Sequence, residues 1–424
     1  MSSIRIAHVT YDYYPFDTLI RRLAEAAIDK GHLVDVICVR QMHEKKYEVC
    51  DGVSVYRVPM DRVFGRSLLV TLLSWCWFLL QASAVVTWLH LKRHYDVVQV
   101  HNMPDFLVFS ALFLKLLGVK VILEVQDVSP ELMAVKASGR MRKVLKCLAI
   151  WQERISTAFA HHVITVGWPF EQLLLQRGVP AEKMTIILNS ADPKIFPAAR
   201  RSTPCTATAE ETRPFIVMYH GTLAERSGLD IAIRALVKAR HVIPQVRLDI
   251  TGLGEHMPIL KQLAVELGVS EHVVFSGPYP AEEVVDFIAH GDVGIIPYLC
   301  DGFMELVLPT KAYEFAWMHR PMIASDTEAM RSMFRPESIV LCDPSQPESF
   351  AAAIIDLYQH PEKRARMVAN AAADYMPYQW ESMAKRYRQL LLNLCGRNQE
   401  EQEAEQMSSQ THERRAVQLP GQKR

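Results

Sequence analysis

The chain alternates short apolar runs with segments of helical periodicity, and it does so twice. In its first part, the helical segments Asp17–Lys30 and Asp105–Leu117 separate runs that have the length of single strands. Gly31 and Gly118 follow these two segments, as is typical of helix ends. The predicted buried strands of this part are Ile4–Val9, Leu33–Val39, Val97–His101, Val121–Val125 and His162–Val166. This alternation predicts an α/β fold with a doubly wound parallel sheet.

A second series of the same kind begins at Phe215–Tyr219 and continues through Val246–Thr251 and Val293–Pro297. The stretch between the two series is small and polar, which predicts a linker. We therefore predict two Rossmann-like domains that face each other across a cleft, with ligands at the carboxyl ends of the strands. The predicted boundaries are 1–197 for the first domain, 198–213 for the linker, 214–378 for the second domain, 379–396 for a helix that returns to the first domain, and 397–424 for a disordered tail.

Composition argues against a nucleic-acid partner and against a metal site, and the N-terminal residues bear on the location of the protein. Lys+Arg and Asp+Glu both number 47 among 424 residues, so the overall charge does not indicate a nucleic-acid partner. Eight cysteines are scattered without Cys-x-x-Cys spacing, which predicts reduced thiols and no metal site. The N-terminal MSSIRIAHVT has no signal-peptide core, so a cytoplasmic location is expected.

Ser67–Leu89 contains no charged residue and is long enough to span a bilayer. A span would place the strands before and after it on opposite sides of the membrane. We favour a helix that lies on the inner face of the plasma membrane, with Lys92, Arg93 and His94 meeting anionic lipid. A buried helix of the first domain and a true span remain the two alternatives.

Glu305–Ser325 combines two carboxylates with a predicted anion site. Pro309 suits the start of a helix, Thr310 is expected to cap it, and the amides of 307–310 are expected to face an anion. Lys311 places a positive charge in the first turn, where the helix dipole favours an acid, and a bound anion would account for this. The alternative is an ordinary capped helix with a surface lysine.

Several motifs in order resemble one enzyme family. They are HVTYDYYPFDTLIRRLAEAAIDKGHLVDVI, YDVVQVHNMPDFLVF, YHGTLAERSGLDIAIRAL, FSGPYPAEEV, GIIPY and ELVLPTKAYEF. Together they resemble bacterial retaining glycosyltransferases of the GT-B fold, the family 4 type that includes exopolysaccharide and O-antigen enzymes. The resemblance implies a hexosyltransferase with an N-terminal acceptor domain and a C-terminal donor domain. It also implies a UDP- or GDP-linked sugar donor, a glycan or polyprenyl-linked acceptor, and no metal or other cofactor.

The resemblance also assigns donor-site residues. Arg226 falls where the family neutralises the diphosphate, and Thr222 replaces a second arginine found in many relatives. Glu314 matches the glutamate that accepts the ribose hydroxyls, and Glu305 matches the glutamate near the donor sugar. Eight residues separate the two glutamates here, whereas seven are common in the family. The other implied donor contacts are Gly221, Gly252, Gly277, Pro278, Val307, Leu308, Thr310 and Lys311.

On the acceptor side, the resemblance points to two strand ends. Many relatives have His-Asp where this chain has Gln126-Asp127, so Asp127 becomes the candidate to orient the acceptor hydroxyl. His101 and Asn102 end the neighbouring strand and are predicted to share the cleft, although an interior histidine is the alternative at position 101. The catalytic candidates are therefore Asp127, Arg226 and Glu305.

Two other functions remain open for a chain with these motifs. A nucleotide-sugar epimerase of the same fold needs no acceptor and would release altered free sugar. A non-catalytic subunit could keep the fold without turnover, although the presence of Arg226 and Glu314 argues against that.

Overall fold

The computed structural model describes residues 3–63, 67–136, 139–200, 213–277, 280 and 283–397, and these form two sheets. The first sheet contains β1 (Arg5–Val9), β2 (Leu33–Val39), β3 (Tyr47–Cys50), β4 (Val53–Val58), β5 (Val97–His101), β6 (Lys120–Val125), β7 (His162–Thr165) and β8 (Met184–Ile186). The second sheet contains β9 (Phe215–His220), β10 (Val246–Thr251), β11 (Val273–Ser276), β12 (Val293–Ile296), β13 (Met322–Ser325) and β14 (Val340–Cys342).

Helices connect most of these strands. They are α1 (Thr18–Ile28), α2 (Leu68–Arg93), α3 (Leu112–Leu116), α4 (Ser129–Lys136), α5 (Gly139–Phe159), α6 (Trp168–Gln176), α7 (Leu229–Ala239), α8 (Met257–Glu266), α9 (Val284–His290), α10 (Thr310–Trp317), α11 (Glu328–Met333), α12 (Pro347–Gln359), α13 (Pro361–Tyr375) and α14 (Trp380–Cys395). The predicted α/β class with parallel sheets is confirmed.

The first sheet has the order β3-β4-β2-β1-β5-β6-β7-β8. Its edge pair β3–β4 is antiparallel, and its other neighbouring strands run parallel. The strand order reverses between β1 and β5. Loops that leave two such strands diverge and open a crevice at the carboxyl edge of the sheet. The segments after Val9 and His101 begin at this crevice.

Apolar side chains cover both faces of the first sheet. Ile6 and Val36 belong to a core that also contains α1 and α14, whereas Val9 and Val98 belong to a core that contains α2 and α3. Asp17 caps α1 by accepting hydrogen bonds from the amides of Leu19 and Ile20. The sheet is therefore a buried middle layer, as the apolar runs of the sequence require.

The second sheet has the order β11-β10-β9-β12-β13-β14, and all its pairs are parallel. Its order reverses between β9 and β12. Residues 221–226 follow β9 and residues 297–309 follow β12, so both segments leave from the switch point. This places the quoted YHGTLAER and IIPY motifs side by side at one edge of the sheet.

The last helix, α14, packs against the first domain. Tyr387 donates a hydrogen bond from its hydroxyl to Oε1 of Gln99 over 2.8 Å. The ring of Trp380 lies 4.5 Å from the guanidinium of Arg22 in α1. The chain therefore passes between the two domains a second time after α13.

One predicted helix differs in the structure, and the predicted linker and tail lie mostly outside the described residues. The helix predicted over Asp105–Leu117 is a 3-10 helix over Asp105–Ala111 followed by the short α3, with the side chain of Asp105 held by Asn102. Residues 201–212 of the predicted linker lie outside the described residues. The predicted tail also lies outside them, apart from residue 397.

Helix α2 contains the uncharged stretch of the sequence. It is long and apolar enough to cross a membrane by length and composition. Phe78, Ala82, Val86 and Leu89 are buried against the first domain, whereas most of its other large side chains are exposed. The helix is therefore attached along one side to a folded domain.

Candidate donor and acceptor sites

Two loops of the second domain run side by side at the switch point. The amide of Gly221 donates to the carbonyl of Thr251 over 3.0 Å, and the amide of Leu223 donates to the carbonyl of Leu253 over 2.8 Å. Gly252 has φ +143°, and a Cβ there would lie 1.8 Å from the carbonyl oxygen of Gly221. The glycine is required because the two backbones touch at this point.

Lys311 lies beneath the Gly221 turn and is only 6% exposed. A Cβ on Gly221 would lie 3.4 Å from both Cε and Nζ of the lysine. Its ammonium donates to the hydroxyl of Tyr298 over 2.7 Å and lies 3.5 Å from the hydroxyl of Tyr219. Burial alone would lower the pKa of Lys311, but the two tyrosine oxygens outweigh it and raise that pKa. The alternative interpretation of a surface lysine is wrong.

The start of α10 differs from the prediction. Pro309 occupies the cap position without a side-chain hydrogen bond, so Thr310 is the first helical residue rather than the cap. The amide of Val307 donates to the carbonyl of Met304, and proline has no amide hydrogen. The predicted row of amides is therefore reduced to those of Leu308 and Thr310.

Glu314 faces His220, the last residue of β9. Oε2 of the glutamate and Nε2 of the histidine lie 3.2 Å apart, without the alignment of a hydrogen bond. Burial raises the pKa of Glu314 to about 7, although the charges of Lys311 and Arg22 oppose this rise. Burial and the charge of Lys311 lower the pKa of His220 to about 3. Within the described residues, both facing atoms lack hydrogen-bond partners, so a ligand hydroxyl could bind there.

Arg226 lies exposed in the short 3-10 segment Glu225–Ser227. Its carbonyl accepts the amide of Leu299 over 3.1 Å, which joins this segment to the loop after β12. Burial raises the pKa of the Tyr298 hydroxyl, and the positive charges of Lys311 and Arg226 both oppose that rise. Arg226 therefore acts on the same hydroxyl that binds Lys311. Two cations are thus brought to one region of the cleft wall.

Glu305 does not join this group. Its Oε1 accepts the amide of Glu328 over 2.9 Å and lies 3.6 Å from the guanidinium of Arg331. Its carbonyl also accepts the amide of Ala329 over 3.1 Å. The carboxylate is engaged at the start of α11, where an acid is favourable. The role near the donor sugar predicted for Glu305 is therefore not supported by its contacts.

The remaining predicted donor contacts are backbone features. Thr222 uses its carbonyl to accept the hydroxyls of Tyr219 and Ser227, which closes the turn. Gly277 is exposed, and its carbonyl accepts the hydroxyl of Thr251 over 2.8 Å. Pro278 lies outside the described residues.

His101 is an interior residue. Its side chain is fully buried, with Nε2 2.8 Å from Nδ1 of His8 and Nδ1 2.7 Å from Oε2 of Glu124. Glu124 also accepts a hydrogen bond from the side-chain amide of Gln99 over 2.6 Å, and Gln99 in turn accepts one from the hydroxyl of Tyr387. The structure therefore supports the interior alternative for His101 and not contact with an acceptor.

Asn102 holds the acceptor-side loop rather than facing the cleft. Its Oδ1 accepts the amides of Gln126 and Asp127 over 2.8 and 3.3 Å. Its Nδ2 donates to Oδ1 of Asp105 and to the carbonyl of Asp127 over 2.7 and 2.6 Å. Gln126 donates from its own side chain to Glu124 over 3.0 Å. Asp127, half-buried, is thus placed by its neighbours at the end of β6.

Three residues near the donor site are not among the predicted site residues. They are His220, Tyr298 and Arg22, of which Arg22 lies in the first domain and acts on the pKa of Glu314. His220 ends β9 and Tyr298 follows β12, the two strands at the switch point, and these positions could have indicated a place in the site. Arg22 could not have been found this way because it approaches from another domain.

Comparisons with known proteins show which domains and relatives this chain resembles. Residues 17–190 match the Glycosyl transferase 4-like domain, and residues 206–374 match the family Glycosyl transferases group 1. An uncharacterized glycosyltransferase of Methanocaldococcus jannaschii is 25% identical over 406 residues, or 90% of this chain and 96% of that protein. A GDP-mannose-dependent alpha-(1-6)-phosphatidylinositol monomannoside mannosyltransferase of Mycolicibacterium smegmatis is 30% identical over 186 residues, which are 42% of this chain and 48% of that protein.

Solved structures show the same two-domain fold. Sucrose-phosphate synthase from Thermosynechococcus elongatus superposes with a TM-score of 0.71 at 19% identity, over 92% of this chain and 99% of that one. Anabaena HepE in complex with UDP-glucose superposes with a TM-score of 0.67 at 16% identity, over 92% and 100%. The predicted GT-B architecture is confirmed.

Proposed function

We propose a specific reaction for this chain, which has the GT-B fold and matches a 4-like glycosyl transferase domain over residues 17–190 and Glycosyl transferases group 1 over residues 206–374. The enzyme transfers a sugar from a UDP- or GDP-linked donor, with retention of configuration, to a glycan or polyprenyl-linked acceptor. The reaction serves cell-surface polysaccharide synthesis. Relatives and neighbours whose names include GDP-mannose or UDP-glucose support this class of donor.

The buried ammonium of Lys311 carries the proposal. Its hydrogen-bond partners are two tyrosine hydroxyls rather than a carboxylate, so no ion pair within the described part of the chain neutralises its charge. A buried cation is costly unless an anion binds to it. The glycine turn above Lys311 allows close approach of a ligand, and Arg226 adds a second charge nearby. A diphosphate fits both the charge and the open backbone.

The same geometry suits departure of the leaving group. Negative charge develops on the nucleotide diphosphate as the bond to the anomeric carbon breaks. Lys311, Arg226 and the amides of Leu308 and Thr310 would stabilise that charge, and each such donor is worth roughly 10²–10³ in rate. Glu314 and His220 would bind the hydroxyls of the pentose. Asp127 would orient the acceptor hydroxyl from the opposite domain, and no metal or other cofactor takes part in this scheme.

Helix α2 supports a location on the cytoplasmic face of the plasma membrane. Leu73, Trp77 and Leu80 on this helix are more than half exposed, while Phe78 and Ala82 attach it to the folded domain. Because that attachment holds the helix against a sheet, we propose that it lies in the bilayer surface rather than crossing the membrane.

Transfer assays with the purified full chain test the proposal. We expect labelled sugar from a panel of UDP- and GDP-linked donors to appear in a polyprenyl-phosphate or glycan acceptor, with the donor's anomeric configuration by NMR. Calorimetry should show donor binding to the wild type and loss of that binding in Lys311→Met. Absence of donor binding to the wild type would contradict the proposal. Release of altered free sugar without acceptor would indicate an epimerase instead.

A further inference from the structure

Helix α5 presents its apolar side chains to solvent. Met141, Val144, Leu148, Trp151 and Ile155 are between 38% and 63% exposed. Their spacing alternates between three and four residues, so they form one stripe along the helix. In a soluble helix such a stripe normally faces the core. Here it faces outward along almost the full length of the helix.

The opposite side of α5 is small and polar. Ala149, Ser156 and Thr157 are buried there, together with Glu153. Arg177 donates to both carboxylate oxygens of Glu153 over 3.0 and 2.7 Å. The helix is therefore held to its domain by this ion pair and by hydrogen bonds to backbone, since Arg154 donates to the carbonyl of Arg177 over 3.1 Å and Lys183 donates to the carbonyl of Thr157 over 2.7 Å. Its apolar stripe has no role in that attachment, and contiguous exposed apolar surface of this kind marks an interaction site.

The two neighbouring helical segments add to the same face. Phe113, Leu116 and Leu117, in and after α3, are 59–76% exposed. The 3-10 helix just before α3 lies between α2 and α5, because Trp75 packs edge-on against Phe106, and Phe109 packs edge-on against Phe159. Lys115 of α3 also reaches the ring of Phe159, 4.4 Å from its centre. The exposed apolar side chains of α2, α3 and α5 therefore lie on adjacent elements, which we call the three-helix face.

The charges around the three-helix face have one sign. In the described parts of Leu68–Arg93, Asp105–Leu117 and Gly139–Phe159, the acidic residues are Asp105 and Glu153, and both are buried. The basic residues are more numerous and most reach the surface. They are Lys92, Arg93, Lys115, Arg142, Lys143, Lys146 and Arg154.

We propose that the three-helix face, including the stripe of α5, docks on an anionic phospholipid bilayer. This inference rests on the proposed membrane association of α2 and extends it to a second helix, for which the sequence did not indicate a membrane role. Apolar side chains would enter the acyl boundary while the basic side chains meet lipid phosphates. Trp77, Trp88 and Trp151 are each more than half exposed, and tryptophan favours this interface. A second protein copy would not account for the excess of positive charge.

Docking in this way connects the membrane to the acceptor side of the cleft. Helix α4 begins two residues after Asp127 and packs against α5. Glu131 of α4 lies 3.1 Å from the ammonium of Lys146 of α5 and also pairs with Arg177. The acceptor-side loop is therefore fixed to the docking face, which suits an acceptor that resides in the bilayer.

Vesicle binding tests the inference. The full chain is mixed with vesicles of phosphatidylcholine alone or of equal parts phosphatidylglycerol and phosphatidylcholine, and the bound fraction is measured by flotation. In the variant Leu148→Ser/Trp151→Ser, the changed side chains are 58% and 63% exposed. The matched control is Ile259→Ser/Val265→Ser on α8 of the other domain, where the exposures are also 58% and 63%.

We expect the wild type and the control to bind the anionic vesicles and the α5 variant to bind roughly tenfold or more weakly. Binding should decrease with added salt and with neutral lipid. Brominated lipid should quench wild-type fluorescence more than that of Trp151→Phe. Sugar transfer to a soluble acceptor should be equal in all variants. If the serine variant fails to fold, Met141→Ser/Val144→Ser replaces it.

Other outcomes separate this inference from the proposed function. The α5 variant could bind vesicles as well as the wild type does, with binding lost only in the α2 variant Leu73→Ser/Trp77→Ser. That result overturns the role of α5 and leaves the membrane association of α2. Absence of vesicle binding by the wild type overturns both. Sedimentation that shows a dimer, converted to monomer by the α5 changes, would assign the face to a second copy. Sugar transfer to a soluble acceptor would survive each of these results.

Discussion

Replacing Glu314 with glutamine should stabilise the ligand-free protein while it weakens donor binding. The carboxyl has a pKa of about 7 in the folded chain, against an ordinary value of 4.5. The folded state therefore holds a proton more tightly than the unfolded state does. The contribution of Glu314 to the free energy of unfolding therefore falls as the pH rises from 4.5 to 7. Above pH 7, the protein bears the full destabilisation that ionisation of this buried carboxyl causes.

The size of this cost follows from the two pKa values. Ionisation of Glu314 reduces the free energy of unfolding by about 1 kcal/mol near pH 5 and by about 3 kcal/mol near pH 8. A glutamine side chain has the shape of glutamate but cannot ionise, so Glu314→Gln removes this pH-dependent part of the free energy of unfolding. For a domain of this size, the melting temperature of Glu314→Gln should exceed that of the wild type by roughly 5–10 °C near pH 8 and by much less near pH 5.

Thermal unfolding at several pH values measures this difference. Glu271→Gln is the control, because it changes an exposed carboxylate of the same domain. Calorimetry with the donor that the wild type binds should show weaker binding for Glu314→Gln and unchanged binding for the control. A variant that melts below the wild type near pH 8, or whose advantage does not depend on pH, would refute the reasoning.

Three further changes have expected outcomes. Arg226→Ala should lower the rate of transfer roughly 10²–10³-fold with an unchanged melting temperature, whereas exposed Arg234→Ala in α7 should leave the rate unchanged in the same assay. Gly252→Ala should destabilise the second domain by several kcal/mol in urea unfolding, because its Cβ would collide with backbone, while Gly277→Ala should have little effect because open space surrounds it. Lys311→Met should lower the melting temperature of the ligand-free protein, since it removes the buried hydrogen bond that the ammonium donates to Tyr298, and should abolish the thermal shift that a nucleotide sugar causes. A melting temperature unchanged by nucleotide sugar in the wild type would contradict the last expectation.

The sequence predicted the two parallel sheets well because their signal is local. Central strands such as β5, β9 and β12 are buried on both faces, so they read as continuous apolar runs, and each helix has its own period. The segment Asp105–Leu117 was predicted less accurately, because its first part, Asp105–Ala111, is a 3-10 helix, which the apolar pattern of the sequence does not distinguish from an α-helix.

The candidate site was predicted less completely because side-chain direction depends on packing between distant segments. The family resemblance indicated Lys311 and Glu314, but only the folded chain shows that both are enclosed by the end of β9. The resemblance also indicated Glu305, whose carboxylate turns instead to α11. His101 ends a strand at the expected edge, yet its ring points into the interior. Motif position identifies the edge of a sheet but not the face to which a side chain points.

The return of α14 to the first domain affects how the protein can be made in a cell. Met383 and Tyr387 complete the core around α1 and the first sheet, and they lie near the end of the described chain. During synthesis, the first domain must therefore wait for nearly all later residues to leave the ribosome before its core can close. Until then its unfinished surface is exposed in the cell, where chaperones can bind it.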